Sequence, residues 1–240
     1  PRPGATVSPA VKASSIVASP LVVSPIVIID DRQDEHRFDT PPRRIVSLLP
    51  SLTEAIWALG GGDRLVGVDR YSNWPPELDR LPRLGGLDDA LIEAIARLKP
   101  DVILASLSAR SLDRLEALGF RIIRLRSESH ADVRRTLDKM AHLLGEPRAA
   151  TTLWDAIQAR LADAAARVPE AARGRLAYFE IGGGPYAAGT TSFIGETLAQ
   201  LGLRNIAPAE LGPFPKLNPE FVVRARPWLI IGADRDLGAI

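Results

Sequence analysis

One long stretch with the spacing of an α-helix dominates the hydrophobic pattern of this chain. Its apolar residues recur at three- and four-residue steps: Leu153, Ile157, Leu161, Ala164 and Val168. Such steps place side chains on one face of a helix. Pro147 suits a first helical turn, where its missing N–H is not needed, and Pro169 cannot continue the helix. The pattern therefore predicts a single helix over residues 147–169, about 33 Å long at 1.5 Å per residue.

Short apolar runs alternate with helical patterns on both sides of this helix. Strands are predicted over residues 44–49, 65–68, 101–105, 121–125, 175–181 and 228–231, with a hairpin between about 26 and 38. Helices are predicted from Pro50, from Asp88 to Leu98, and over residues 108–118, 131–144, 192–201 and 220–225. Alternating strands and helices with short connections are typical of parallel sheets covered on both faces.

The pattern divides the chain into four parts. They are a flexible leader remnant over 1–24, an N-terminal α/β lobe over 25–146, the bridging helix over 147–169 and a C-terminal α/β lobe over 170–240. We read the helix as a strut that joins two lobes, with a ligand cleft between them. Two helix starts carry capping predictions: Ser51 and Glu54 have the spacing of a capping box, and Asp88 can cap the next helix.

An internal echo supports two similar lobes. Residues 93–106 and 220–233 align without a gap, each opening on glutamate and each placing proline before an apolar strand. If this repeat is structural, the lobes are related by a pseudo-two-fold axis, and Glu93 and Glu220 lie at equivalent places. The first copy is followed by another helix and strand, so the C-terminal lobe is expected to be incomplete in this sequence.

Composition narrows the class of protein. The net charge of +1 does not indicate a nucleic-acid binder. Cysteine is absent, which excludes disulfides, thiol catalysis and thiolate metal ligands. Residues 1–24 are rich in Ser, Ala, Val and Pro, and prolines break their apolar part well short of the ~20 residues that span a bilayer. We expect this segment to be poorly ordered and to be the remnant of a secretory leader.

Catalytic chemistry has little support. His36, His130 and His142 lack metal-ligand spacing and are expected at the surface or at helix ends. The loop over residues 182–184 is glycine-rich after a strand but lacks the remaining residues of a nucleotide-binding fingerprint. No hydrolase elbow of the form Gly-x-Ser-x-Gly occurs. We therefore predict no catalytic residue, no metal and no cofactor; an α/β enzyme using the glycine loop stays as an alternative.

Aromatic residues in loops are more informative. Tyr71, Trp74, Tyr186 and Phe214 lie in stretches flanked by proline or glycine, at ends where an α/β sheet binds ligands. Aromatic side chains on rigid loops offer flat apolar area at low entropic cost. The pattern indicates a cleft for a large planar ligand.

Four segments now resemble a known family. They are Arg44-Ile-Val-Ser-Leu-Leu-Pro-Ser-Leu-Thr-Glu54, Val66-Gly-Val-Asp-Arg-Tyr-Ser-Asn-Trp-Pro-Pro76, Leu98-Lys-Pro-Asp101, and Ala188-Gly189 before Ser192-Phe-Ile. From about Ile26 onward the chain resembles the class III periplasmic substrate-binding proteins of ABC importers for cobalamin, haem and ferric siderophores. It is most similar to the cobalamin-binding branch.

The resemblance implies a set of site residues. Tyr71, Tyr186 and Phe214 match aromatic residues of the corrin cleft, and Glu93 and Glu220 match the two glutamates that dock on the membrane permease. The whole predicted ligand-binding set is Tyr71, Ser72, Asn73, Trp74, Leu87, Pro185, Tyr186 and Phe214. The implied function is a monomeric, non-enzymatic periplasmic receptor that delivers cobalamin or a related corrinoid to a permease dimer, with cobalamin as cargo and not as cofactor.

Departures from the family pattern keep other cargoes open. Leu87 lies near a position where the cobalamin branch can carry tryptophan, so stacking is reduced there. Trp74 stands where haem-binding relatives often place a ligating tyrosine, and an indole cannot ligate iron. Arg70 is the one obvious basic residue of these loops, whereas a ferric siderophore favours a basic cleft. Haem, a ferric siderophore or an oxyanion stay as alternative ligands, and a sensory or scaffold domain with a degenerate cleft as an alternative class.

Overall fold

The computed structural model describes residues 25–182 and 186–232, and it contains three sheets. A small antiparallel hairpin is formed by β1 (Ile26–Ile29) and β2 (Glu35–Phe38). The first parallel sheet contains β3 (Ile45–Ser47), β4 (Leu65–Val68), β5 (Val102–Ser106) and β6 (Ile122–Leu125). Its helices are α1 (Pro50–Ala58), α2 (Ile92–Arg97), α3 (Asp113–Ala117) and α4 (His130–Leu144). We call this part, with the hairpin, the first lobe.

The first sheet has the strand order β4-β3-β5-β6 with every neighbouring pair parallel. The chain runs outward from β3 to β4 and then returns to the other side of β3 to form β5. This reversal leaves a crevice at the carboxyl ends of β3 and β5, which is where open α/β sheets bind ligands.

Alternate residues of each strand face opposite helix layers. In β5, Val102 and Leu104 pack with α1 and α4, whereas Ile103 and Ala105 pack with α2 and α3. All four are fully buried. This explains why the strands read as continuous apolar runs, since both faces of the sheet are covered.

A single continuous helix, α5 (Pro147–Arg167), follows α4, as the apolar spacing predicted. It packs along α4, and Ala150, Leu153 and Trp154 join the core of the first lobe. Farther along, Ile157 and Leu161 line a cavity with the next helix of the chain. The apolar face of α5 therefore passes from the first lobe to the second.

The second lobe carries a parallel sheet of β7 (Leu176–Glu180), β8 (Arg204–Asn205) and β9 (Leu229–Gly232), with α6 (Phe193–Gln200) and α7 (Pro219–Ala225). Its order is β8-β7-β9, which repeats the order β4-β3-β5. Lys99 and Arg226, which match in the internal echo, both have positive φ, 44° and 48°. The echo therefore extends to the backbone conformation.

Two capping predictions are wrong. Pro50 is the first residue of α1, so Ser51 lies inside the helix, and Leu49 precedes it without a side-chain cap. The helix predicted from Asp88 begins only at Ile92, again without a side-chain cap. Its predicted first turn is taken up by a tight loop in which Asp89 accepts the Gly86 N–H at 2.8 Å. In both places an Asx- or Ser-type side chain has a better local partner than the helix terminus.

Several predicted features lie outside the described residues. These are the leader segment 1–24, Pro185 with the middle of the glycine loop, and residues 233–240. Among the described segments, no helix is both long and apolar enough to cross a membrane.

Candidate ligand-binding cleft

A cavity of about 490 Å³ lies at the carboxyl edge of the first sheet. Most of its wall comes from residues that follow β3, β5 and β6, and one residue, Phe214, comes from the second lobe. The lining residues are Leu49, Ser51, Ser106, Leu107, Ser108, Leu125, Arg126, Ser127, Glu128 and Phe214. The cavity therefore occupies the crevice of the strand-order reversal and is closed on one side by the second lobe.

Four serine hydroxyls form the polar part of this cavity. Ser51 and Ser127 pair through their Oγ atoms at 3.4 Å, and Ser106 and Ser108 pair at 3.1 Å. We call these four residues the serine floor. A hydroxyl offers one donor and two acceptor positions, so each pair keeps further hydrogen-bonding capacity for a ligand.

The loop after β4 is built around a buried polar network. The Asp69 carboxylate accepts the backbone N–H groups of Tyr71 at 2.7 Å and Ser72 at 3.1 Å, and it also accepts the Ser72 hydroxyl. That hydroxyl lies 3.0 Å from Thr53 Oγ1, which donates to Ser47 Oγ at 2.8 Å. The network anchors the loop to α1 and β3 and leaves the Tyr71 ring exposed.

Ser72 was predicted to contact the ligand, and the structure corrects this. Its side chain is only 2% exposed and lies in the network below the loop. A small hydroxyl residue is needed there because a buried carboxylate must find hydrogen-bond donors. Ser72 therefore positions the neighbouring Tyr71 and does not face a cleft.

The charge of Arg70 is already engaged. Its guanidinium pairs with the Asp89 carboxylate and lies 5.9 Å from the centroid of the Tyr71 ring. The pKa of Asp89 is lowered by the hydrogen bond from the Gly86 N–H and further by the nearby Arg70. Because Arg70 is held by Asp89 and Tyr71, it is not a free cation for an anionic ligand.

Two loops of the second lobe are paired by backbone hydrogen bonds. Ala187 N–H donates to Pro215 O at 2.9 Å, and Gly189 N–H donates to Pro213 O at 2.8 Å. A Cβ on Gly189 would lie 2.4 Å from the Gly212 carbonyl oxygen, so this approach requires glycine. The pairing holds Phe214 between two fixed prolines, next to the loop that carries Tyr186.

His130 joins the two lobes, which corrects its interpretation as a surface or capping residue. Its backbone N–H donates to Glu196 at 2.6 Å, and its ring nitrogens lie 2.9 Å from Thr197 Oγ1 and 3.0 Å from Gln200 Nε2. The ring also contacts Trp154 edge-on, with 6.1 Å between centroids. The N-terminus of α4 is thereby fixed to α6.

The two predicted docking glutamates have equivalent positions. Glu93 is the second residue of α2 and Glu220 is the second residue of α7. Both are exposed. A carboxylate in a first helical turn is stabilised by the helix dipole, which favours glutamate at these sites even without a partner.

The structure brings together only part of the predicted ligand-binding set. Phe214 lines the cavity, whereas the following residues are exposed on loops and are not part of its wall: Tyr71, Asn73, Trp74 and Tyr186. Leu87 is partly buried and packs against the core of the first lobe. Sequence reasoning missed the serine floor, Arg126 and Glu128. Their signal was available, because each follows a parallel strand or opens the helix after one.

No cluster of three or more His, Cys, Asp or Glu side chains that could hold a metal ion occurs within residues 25–182 and 186–232. The cavity wall itself carries one positive and one negative side chain, Arg126 and Glu128. Its chemistry is therefore that of hydrogen bonding and apolar contact.

Comparison with known proteins identifies the class. Residues 45–239 match the family described as periplasmic binding protein, and the chain belongs to that family. A cobalamin-binding protein of Halobacterium salinarum is 30% identical over 210 residues, covering 82% of this chain and 56% of the relative. The chain thus spans little more than half the length of that relative.

Two solved structures have similar folds. The periplasmic vitamin B12 binding protein of Vibrio cholerae matches with a TM-score of 0.68 and 27% identity, over 81% of this chain and 78% of that chain. A periplasmic heme binding protein from Pseudomonas aeruginosa matches with a TM-score of 0.72 and 29% identity, over 82% and 73% respectively. Homologues of this chain are thus transport receptors for vitamin B12 and for haem.

Proposed function

We propose that this protein is the substrate-binding receptor of an ABC importer and that its cargo is cobalamin or a related corrinoid. The receptor works in the periplasm as a monomer, carries out no reaction and holds the corrinoid as cargo, not as a cofactor. The observation that carries this proposal is the cavity at the carboxyl edge of the first sheet, closed by Phe214 of the second lobe. The cobalamin-binding and vitamin B12-binding relatives favour this cargo.

The chemistry of the loops suits a broad, partly apolar ligand. Tyr71 and Trp74 are 62% and 56% exposed, and Tyr186 and Phe214 are 50% and 43% exposed. Large aromatic side chains are rarely left this open without a partner, and their flat faces pack against a macrocycle. The α5 strut and the His130 contacts hold the lobes, so binding requires little rearrangement.

Isothermal titration with cyanocobalamin tests the cargo. We expect saturable binding of one equivalent at micromolar concentration or below, and its absence contradicts the proposal. Trp74→Ala and Phe214→Ala should each weaken binding by about tenfold, because an aromatic contact contributes about 1 kcal/mol beyond its buried area. Trp228→Ala is the matched control, since Trp228 is 55% exposed on the far side of β9 from the predicted site residues.

Haem is the second candidate cargo, favoured by the structural match to the Pseudomonas aeruginosa protein. Trp74 counts against it, because it stands where the ligating tyrosine of haem-binding relatives is expected. A competition panel of haemin, a ferric siderophore and cyanocobalamin separates the cargoes. Displacement of cyanocobalamin by an equimolar amount of haemin would reverse the preferred assignment.

Docking on the permease is proposed for Glu93 and Glu220. Both are exposed at equivalent places in the two lobes, as a pair of contacts on a two-fold permease dimer requires. Glu93→Ala with Glu220→Ala should leave cyanocobalamin binding unchanged and abolish stimulation of the reconstituted transporter. Glu146→Ala with Glu170→Ala serves as the control, because these exposed glutamates flank the strut. Unchanged transport by the first double variant would refute the docking role.

A further inference from the structure

The serine floor is held in place by the backbone around it. Ser51 lies in the first turn of α1, and Ser106 ends β5. Ser127 lies between Arg126, whose N–H donates to Asp31 at 2.7 Å, and Glu128, whose N–H donates to Asp132 at 3.2 Å. These hydroxyls are therefore presented by fixed elements and not by a free loop.

The two charged residues of the cavity are fixed in the same way. The Arg126 carbonyl accepts the Thr136 hydroxyl at 2.9 Å, and the Glu128 carbonyl accepts the Phe193 N–H at 2.5 Å. Both side chains are exposed and line the cavity. One positive and one negative charge give the wall no net charge, so a ligand edge with several carboxylates gains no surplus attraction there.

Amide groups match this surface best. A primary amide presents donors at nitrogen and an acceptor at oxygen, and a serine hydroxyl can satisfy either one. A carboxylate presents acceptors only, and it would lie beside Glu128, where like charges repel. The chemistry of the cavity wall therefore distinguishes amides from carboxylates.

We propose that the serine floor is a subsite for amide groups on the periphery of the ligand, and that Arg126 and Glu128 set its selectivity between amides and carboxylates. This inference rests on the proposed function, because it takes a corrinoid with amide side chains as the cargo. It assigns recognition to residues on the first lobe, whereas the aromatic loops supply apolar contact.

The experiment uses two kinds of probe, titrated calorimetrically against the whole chain. One is cyanocobalamin, and the other is each cyanocobalamin derivative in which one peripheral amide is hydrolysed to a carboxylic acid. The wild type should bind cyanocobalamin about tenfold more tightly than at least one acid, since an unmatched polar group is costly in a site built for hydrogen bonds. Ser51→Ala with Ser127→Ala should weaken cyanocobalamin binding by about tenfold.

The charge variants should act in opposite directions on the preference for amide over acid. Glu128→Gln should reduce the preference severalfold because it removes the repulsion, and Arg126→Gln should increase it severalfold because it removes an attraction. Glu146→Gln, an exposed charge at the start of α5, should leave the preference unchanged. Thermal melting of each variant controls for folding.

The outcomes separate the two proposals. Tight cyanocobalamin binding with preferences that do not move, or that move in the same direction in both charge variants, overturns the amide subsite and leaves the proposed function standing. A wild-type preference for every acid also overturns the subsite. No saturable binding of cyanocobalamin by the wild type overturns the proposed function and the subsite together.

Discussion

The two lobes share one topology but bury it to different degrees. The orders β4-β3-β5 and β8-β7-β9 match, and the matched residues Lys99 and Arg226 have nearly the same φ. Yet Ile103 in β5 is fully buried, whereas its counterpart Ile230 in β9 is 51% exposed. The same local sequence pattern therefore gives the same local structure in two different environments.

Neighbouring elements account for the difference. β5 lies between β3 and β6 and is covered by helices on both faces. Among the described strands, β9 pairs only with β7, and the buried core of the second lobe is small: Tyr178, Ala187, Ile206, Ala207 and Leu217. Apolar runs are thus necessary for a strand of this kind but do not determine how deeply it is buried.

The sharpest test of this comparison is a matched pair of substitutions. Ile103→Ala should lower the free energy of unfolding by about 3 to 4 kcal/mol, because it removes buried methyl groups and leaves a cavity. Ile230→Ala should lower it by less than about 1 kcal/mol, because the side chain is half in solvent already. Urea denaturation measures both; equal losses would contradict the difference in burial.

The hairpin of the first lobe provides the next effect, which depends on pH. Burial alone would raise the pKa of Asp31, but hydrogen bonds from Arg135 at 3.1 Å and Lys139 at 2.7 Å outweigh it and lower the pKa to about 2. A carboxyl with a lowered folded-state pKa stabilises the fold above its unfolded pKa, near 3.8, and this stabilisation is lost as pH falls through about 2.

Asp31→Asn should therefore cost about 1 to 2 kcal/mol of unfolding free energy at pH 7, allowing for solvent screening of the ion pairs. The difference between variant and wild type should shrink below about pH 4 and vanish near pH 2. Denaturation midpoints measured from pH 7 to pH 2 check this. A difference that is constant over the whole range would show that Asp31 acts through packing alone.

The coupling between the lobes is the third target. His130→Ala removes the contacts of the ring with Thr197 and Gln200 and should cost about 1 kcal/mol. It should also make the two lobes unfold less cooperatively, which hydrogen exchange of α6 relative to α4 detects. His142→Ala, an exposed position on the same helix, is the control and should change neither quantity.

The smallest effect tests the local likeness of the lobes. Lys99→Gly and Arg226→Gly should each stabilise the protein by about 0.5 kcal/mol, because glycine adopts positive φ without the steric cost that a Cβ imposes. The two gains should be equal within error in thermal denaturation. Arg97→Gly, at the end of α2, should instead destabilise the protein by up to about 1 kcal/mol.

Much of the fold could be predicted from short-range patterns. Apolar spacing located α5, and runs of apolar residues located β4 and β6 within a residue of their bounds. Helix starts were predicted less well, because the choice between a cap and a tight loop depends on partners such as Gly86, and those partners come from the folded chain.

The candidate site divides along the same line. That aromatic residues lie exposed on loops, and that Glu93 and Glu220 occupy equivalent places, could be read from residue type, flanking prolines and the internal echo. That Ser72 is buried, that His130 joins the lobes and that four serines share one cavity could not be read in this way.

The amino-acid sequence by itself determined the class of fold, the long helix and the repeated half, because these depend on periodicity and on interactions between residues near in the chain. Only the tertiary structure decided which polar groups face the cavity and how far each strand is buried. Those properties depend on residues that meet from distant parts of the chain, as Ser51 meets Ser127 and Phe214 meets the strand ends of the first lobe.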